Sequence, residues 1–276
     1  MTTITEHLVR ANGIDIHITE SGDRDAPPLL LLHGGLVSTN PIWEPTPIAY
    51  NAHVPGLAER FRVIAPDERG SGRTTHPGGH VSMSLLADDV AALVEALDLG
   101  QPAVAGFSSG GLTATILGIR HPGVARALVN DAGYDCLNPQ ASSFAMLRQM
   151  LGGSPEAAEA DPDAAAAFFA SQPDMAAMFE LMQADQDAGA GSGNWRTYLR
   201  NTFERATRWP GYSFDDLATI DVPTLVLVGD RDQFCTVEEG VTTYRHLLHG
   251  QLAVVPSTGH VITSAKIAVL QEFLLA

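Results

Sequence analysis

The sequence predicts an α/β fold: a mostly parallel sheet flanked by helices and interrupted by one helical insertion. Three observations predict it. Short unbroken apolar runs recur along the chain, as strands covered on both faces require. Amphipathic helical stretches lie between the runs, and such alternation builds a layered α/β sandwich. The alternation lapses from about residue 134 to 216, where the pattern is helical.

The chain opens on a hairpin. Glu6–Arg10 and Ile14–Glu20 flank Asn12-Gly13, a pair suited to the two positive-φ positions of a type I′ turn. The apolar runs follow at Leu29–Leu32, Arg62–Ala65, Ala103–Phe107, Ala125–Val129, Thr224–Val228 and Leu252–Val255. Leu85–Leu99 carries Leu86, Val90, Leu93, Val94 and Leu97 on one stripe and stops at Gly100. Leu112–Arg120, Val237–Leu248 and Ser264–Leu275 are further helices. Inside the insertion, helical pieces are expected near 140–151, 155–171, 173–187 and 194–208, with Gly189–Gly193 as a flexible, hinge-like patch. The expected division is a core of 1–134 and 217–276 and a helical cap, or lid, of 135–216.

Composition narrows the function. The 276 residues are 45% hydrophobic and 17% charged, which excludes disorder as the main state. The net charge of −16 disfavours nucleic acid and anionic membrane surfaces as partners. Lys266 is the single lysine. Cys136 and Cys235 cannot make a disulfide framework, so a reducing compartment is expected. The opening MTTITEHLVR has no signal-peptide pattern, and no apolar run reaches transmembrane length; a cytoplasmic location is expected. The oligomeric state is left open.

Gly106-Phe107-Ser108-Ser109-Gly110 is a G-x-S-x-G pentapeptide between an apolar strand and a helix. That context describes a nucleophile elbow, a tight turn that lifts a serine above a sheet. A serine hydroxyl needs a base. His260, in PSTGH after the last strand, is the candidate because it falls at the same sheet edge. The base in turn needs a carboxylate. Asp232 is preferred and Asp131, at the end of the strand beside the elbow, is the alternative; Asp230 is expected to shape its turn. The oxyanion of an acyl-transfer site needs backbone donors: Ser109 at the elbow, and Gly35 in His33-Gly34-Gly35-Leu36, with Leu36 as the fallback. His33 is expected to brace that loop. His7, His17, His121, His246 and His249 are expected at the surface or at helix ends. No histidine pair has zinc spacing on a helix, so no metal is assigned, and no cofactor either.

These motifs together resemble an α/β-hydrolase-fold serine hydrolase. The resemblance is carried by the hairpin, LLLLHGG, FRVIAPDERGSGRT, PAVAGFSSGG, VPTLVLVGDRD and VPSTGH, and covers about 6–134 and 217–276. It implies an eight-stranded, mostly parallel sheet with the site at its carboxyl edge. Dehalogenases and epoxide hydrolases of the family use an aspartate nucleophile, which Ser108 excludes. The stretch between Gly35 and Phe61 is longer than the family pattern. Its PIWEPTPIAYNAHVPG either folds over the site and touches substrate or is a surface excursion.

The insertion holds five of the seven methionines and six of the ten phenylalanines. Most must pack its helices together, and the rest would line an apolar roof. A neutral, fairly hydrophobic small-molecule ester or lactone is the expected substrate. Carbon–carbon bond hydrolysis, lyase, cyclase or cofactor-free peroxidase chemistry on the same triad is the alternative. A non-catalytic ligand receptor is disfavoured by the intact triad.

Overall fold

The computed structural model describes residues 4–39, 50–133, 147–153, 158–208 and 211–276. The hairpin forms as β1 (Ile4–Ala11) and β2 (Ile14–Ser21), with Asn12 and Gly13 at φ of 43° and 75°. Then come β3 (Pro28–Leu32), β4 (Arg62–Pro66), β5 (Ala103–Phe107), β6 (Ala127–Asp131), β7 (Thr224–Gly229) and β8 (Gly250–Val255). They make an eight-stranded sheet in the order β1-β2-β4-β3-β5-β6-β7-β8. The β1–β2 and β2–β4 pairs are antiparallel and the others parallel.

The apolar runs are unbroken because both faces of the sheet are covered. Alternate residues of each strand enter opposite cores. Leu30, Leu32, Val104, Leu128 and Val226 pack under α2 (Met83–Ala96) and α3 (Ser109–Arg120). Leu29, Leu31, Ala105, Phe107, Val129 and Leu227 pack under α1 (Val54–Leu57) and α9 (Ser264–Leu275). Ser82 caps α2 by accepting the Leu85 N–H. Helix α8 (Val237–His246) begins with a capping box between Thr236 and Glu239.

β6 starts two residues later than its apolar run. The Arg126 N–H donates to Pro102 O, and pairing with β5 opens at Ala103↔Ala127. Asn130 and Asp131 extend the strand because their buried side chains are bonded, to Thr115 and Lys266 respectively.

Between β6 and β7 lie α4 (Pro162–Ala170), α5 (Pro173–Ala190), α6 (Asn194–Thr207) and the short α7 (Phe214–Leu217). The expected helix near 140–151 falls mostly outside the described residues. Phe169, Phe179, Met182, Trp195, Leu199 and Phe203 form a third apolar cluster, which also takes in Leu36 and Val37. Gly189 is no hinge. It lies inside α5 against the Gly72 carbonyl, where a Cβ would collide. Gln186, one turn earlier, accepts the Gly72 N–H and donates to Ser71 Oγ.

Of the long stretch after Gly35, residues 40–49 fall outside the described residues, and the choice between a fold over the site and a surface excursion falls there with them. Tyr50, Val54 and Leu57 at its end are buried in the α1/α9 core. Among the described residues no helix is long and apolar enough to cross a membrane.

Candidate active site

β5 ends in the sheet's interior, between β3 and β6, and the chain turns there directly into α3. The turn is tight. A Cβ on Gly106 would run into Gly110, and one on Gly110 into the Leu32 carbonyl, so both flanking glycines are required. Ser108 takes φ 53° and ψ −120°, a strained pair for a residue with a side chain. Its N–H donates to Asp131 O at 2.8 Å. Its hydroxyl does not cap α3, which leaves the oxygen exposed to other partners.

The loops after β7 and β8 bring those partners. His260 Nε2 lies 3.1 Å from Ser108 Oγ. His260 Nδ1 lies 2.9 Å from Asp232 Oδ2 and 3.1 Å from Oδ1. A carboxylate only accepts, so the proton sits on Nδ1 and Nε2 is the acceptor for the serine hydroxyl. The Asp232 side chain is closed to solvent, and its Oδ1 also accepts the N–H groups of Phe234 and Cys235, each at 2.9 Å. These bonds fix the carboxylate, which fixes the imidazole. The rings of Phe107 and Phe234 each stand 4.8 Å from the His260 ring and wall it with apolar surface.

Asp230 performs a different task. It accepts the Thr258 N–H at 3.0 Å while the Arg231 N–H donates to Thr258 O, so the β7 loop is stitched to the loop carrying His260. The N–H groups of Ser257 and Thr258 hold its carboxyl below the usual range.

Asp131 is turned away from the imidazole's hydrogen bonds. Lys266 Nζ on α9 donates to its Oδ1 at 2.6 Å. Burial pushes the Asp131 carboxyl up to about 6, against the pull of Lys266 and, more weakly, of His260. The buried Tyr50 phenol is raised by burial and by the Asp131 charge.

In the loop after β3, a Cβ on Gly35 would stand 3.9 Å from Ser109 Oγ, which places Gly35 beside the elbow. The Leu36 N–H is engaged: it donates to Tyr198 Oη of α6 at 2.9 Å. His33 accepts the Glu68 N–H on Nε2 at 3.0 Å, so its Nδ1–H donates to Gly34 O at 2.7 Å. It braces the loop from within.

One histidine departs from expectation. His17 is 4% exposed, not superficial. β2 lies inside the sheet between β1 and β4, and its inward side chain meets Asp67 with Nδ1 2.9 Å from Oδ2. Asp67 also accepts Thr39 N–H, Thr39 Oγ1–H and Arg73 N–H, at 2.7, 2.8 and 3.0 Å.

Three site-proximal residues escaped the sequence reading: Lys266, Tyr198 and Arg205. Each has a signal. Lys266 lies on the same helical stripe as Ile267, Leu270 and Leu274. Tyr198 and Arg205 sit on the buried stripe of α6 with Trp195, Leu199, Thr202 and Phe203. A polar-tipped side chain on an apolar stripe marks a buried partner.

Comparison with known proteins agrees with this architecture. The family model for the alpha/beta hydrolase fold matches residues 27–263. A bifunctional esterase/perhydrolase of Acinetobacter calcoaceticus is 34% identical over 128 residues, which are 46% of this chain and 44% of that one. The chain thus spans less than half the length of that relative. A non-heme chloroperoxidase of Burkholderia pyrrocinia is 27% identical across 98% of each chain. Among solved structures, the 2-hydroxy-6-oxo-6-phenylhexa-2,4-dienoate hydrolase of Rhodococcus sp. strain RHA1 superposes over 100% of both chains with a TM-score of 0.78 at 21% identity. With the family model covering most of its length, and the sheet order and elbow described above, the chain belongs to the alpha/beta hydrolase fold family.

Proposed function

We propose that the chain is a serine hydrolase that cleaves a neutral, fairly hydrophobic small-molecule ester or lactone through an acyl-Ser108 intermediate. The observation that carries this reading is the continuous line Ser108 Oγ, His260 Nε2 and Nδ1, Asp232 Oδ2, with gaps of 3.1 and 2.9 Å. Ser108 Oγ attacks the acyl carbon as Nε2 takes its proton, and Asp232 stabilises the imidazolium. The carbonyl oxygen becomes an oxyanion that the Gly35 and Ser109 N–H groups receive, helped by the positive end of α3. The oxyanion collapses, the carbon–oxygen bond of the alcohol breaks, and His260 returns the proton to the leaving oxygen. Water, deprotonated by the same nitrogen, then releases the acid from Ser108.

Residues 135–216 are the cap in this reading. The cluster joining Leu36 and Val37 to α4, α5 and α6, with Met175, Met178 and Phe234 packed on it, supports an apolar roof over the elbow. Such a surface favours uncharged acyl groups. The acidic chain and its two cysteines support a cytoplasmic setting.

A hydrolysis screen over p-nitrophenyl esters, lactones and β-diketones tests the reading, with Ser108→Ala as control and a fluorophosphonate as label for the nucleophile. Ester or lactone turnover that Ser108→Ala abolishes, with label on Ser108, is the expected result. Turnover of β-diketones alone would move the chemistry to carbon–carbon bonds. Label elsewhere, or turnover by the alanine variant, overturns the triad.

A further inference from the structure

The bond from Leu36 N–H to Tyr198 Oη joins the inserted helices to the loop that carries Gly35. Its surroundings point to more than packing. Leu36 has a φ of 69°, left-handed backbone that a branched side chain occupies only when its neighbours hold it there. Its N–H is buried with the loop, so without the phenol it would be an orphaned donor. Tyr198 is itself 2% exposed and fixed on α6, and burial pushes its phenol up, so the oxygen stays neutral.

The same face of α6 reaches the loop by a second route. Thr202 and Arg205 follow Tyr198 at helical spacing. Arg205 donates to Glu68 Oε1 at 2.8 Å, and the Glu68 N–H donates to His33 Nε2, whose Nδ1–H holds Gly34 O. The His33–Leu36 turn is therefore gripped on both sides of Gly35, by His33 before it and by Tyr198 after it.

We propose that Tyr198 is a positioning residue for the oxyanion hole: by accepting the Leu36 N–H it fixes the Gly34–Leu36 turn so that the Gly35 N–H faces the carbonyl oxygen of a substrate at Ser108. This rests on the serine hydrolase reading above and deepens it. It also decides between the two candidate donors, because the Leu36 N–H is committed to the phenol and Gly35 supplies the loop's donor. The cap then contributes to the chemical step and not to binding alone.

Tyr198→Phe removes only the oxygen. Loss of a whole oxyanion donor lowers kcat by about 10²- to 10³-fold, and a displaced one by less, so a fall of roughly 10- to 100-fold is expected. KM should change by under about threefold, because ground-state contacts survive. A boronic acid, whose tetrahedral adduct on Ser108 occupies the oxyanion hole, should lose affinity by the same factor as kcat. The rate of fluorophosphonate labelling of Ser108 should fall with it. Thr207→Val on the same helix, which removes a hydroxyl bonded only to the Phe203 and Glu204 carbonyls and not to the loop, should leave all three unchanged. Each variant is assayed well below its melting temperature. Full kcat in Tyr198→Phe overturns the proposal, as does a loss carried by KM alone or an equal loss in Thr207→Val. Ser108→Ala separates the two readings. If it is inactive while Tyr198→Phe is fully active, only the positioning role falls; if it turns over substrate, the triad falls and takes the positioning role with it.

Discussion

Lys266 Nζ lies 2.6 Å from Asp131 Oδ1, and the two side chains are 0% and 1% exposed. The chain's single lysine is thus spent on neutralising a second carboxylate close to His260. The Phe107 ring neighbours both groups, 5.5 Å from Nζ and 4.8 Å from the His260 ring. Truncating one partner of a buried pair strands the other, at a cost of roughly 3–5 kcal/mol. Lys266→Met should lose about that much in urea unfolding. The double variant Lys266→Met/Asp131→Leu should recover most of it. A double variant no more stable than the single one would show that the pair is not what Lys266 contributes.

The pair also has a pH signature. Burial raises the Asp131 carboxyl from 3.8 to about 6, so between those values the folded state binds more proton than the unfolded one. Its contribution to stability is therefore present below the lower value and is lost as pH rises through the higher. Subtracting the Asp131→Asn stability curve from that of the parent should leave a difference that falls between about pH 4 and 6. A rising difference in that window reverses the sign and rejects the account.

The two carboxylates near His260 should separate in kinetics. Asp232→Asn keeps an acceptor for the Phe234 and Cys235 N–H groups but presents an amide to the imidazole and favours the wrong tautomer. kcat should drop by about 10³- to 10⁴-fold with the fold intact. Asp131→Asn should lower kcat by under about tenfold, since its effect reaches His260 only through space. Equal losses, or the reverse order, would move the acid to Asp131.

Asp67 holds the loops behind the site. Burial alone would raise its carboxyl, but the His17 bond and the Arg73 N–H hold it below the usual range. A lowered carboxyl contributes stability above its unfolded pKa and loses it as pH falls through the folded one. Asp67→Asn should cost roughly 1–3 kcal/mol near neutrality, because the amide nitrogen confronts donors. Its acid unfolding should also be shallower than the parent's below about pH 4. Parallel acid limbs would mean that Asp67 does not titrate on unfolding.

In an exposed helix, glycine to alanine gains about 1 kcal/mol. At Gly189 the sign should invert, because the added methyl meets the Gly72 carbonyl. Gly189→Ala should lose roughly 1–3 kcal/mol, read as a lowered melting temperature. A gain would show that α5 can retreat from the 67–74 loop freely.

The strands, the elbow and the positions of Ser108, Asp232 and His260 were legible because each depends on local pattern. A buried strand needs a continuous apolar run, and the elbow needs its two glycines. The contacts of Asp131, Tyr198 and Lys266 were not, because each is settled by a partner more than a hundred residues away. His17 was misplaced because its alternating strand reads as half exposed until the loop carrying Asp67, fifty residues on, covers it. The three shared residues of β6 were found, but its ends were set by pairing with β5, which the run does not encode.

Phe234 tests the apolar wall. Its ring lies 4.8 Å from His260 and packs on the cluster that joins α4, α5 and α6 to Leu36. Its backbone N–H serves Asp232, so Phe234→Ala keeps that bond and removes the ring alone. If the ring contacts the acyl group, its loss forfeits part of the roughly 1.5–3 kcal/mol that burying such a side chain supplies. KM for a bulky ester should rise about tenfold while that for an acetate ester changes little. kcat should fall by under about threefold, because the Phe107 ring, also 4.8 Å from His260, stays in place. A loss confined to kcat, equal for both esters, would mean that the ring only steadies His260 and that the substrate's acyl chain lies elsewhere.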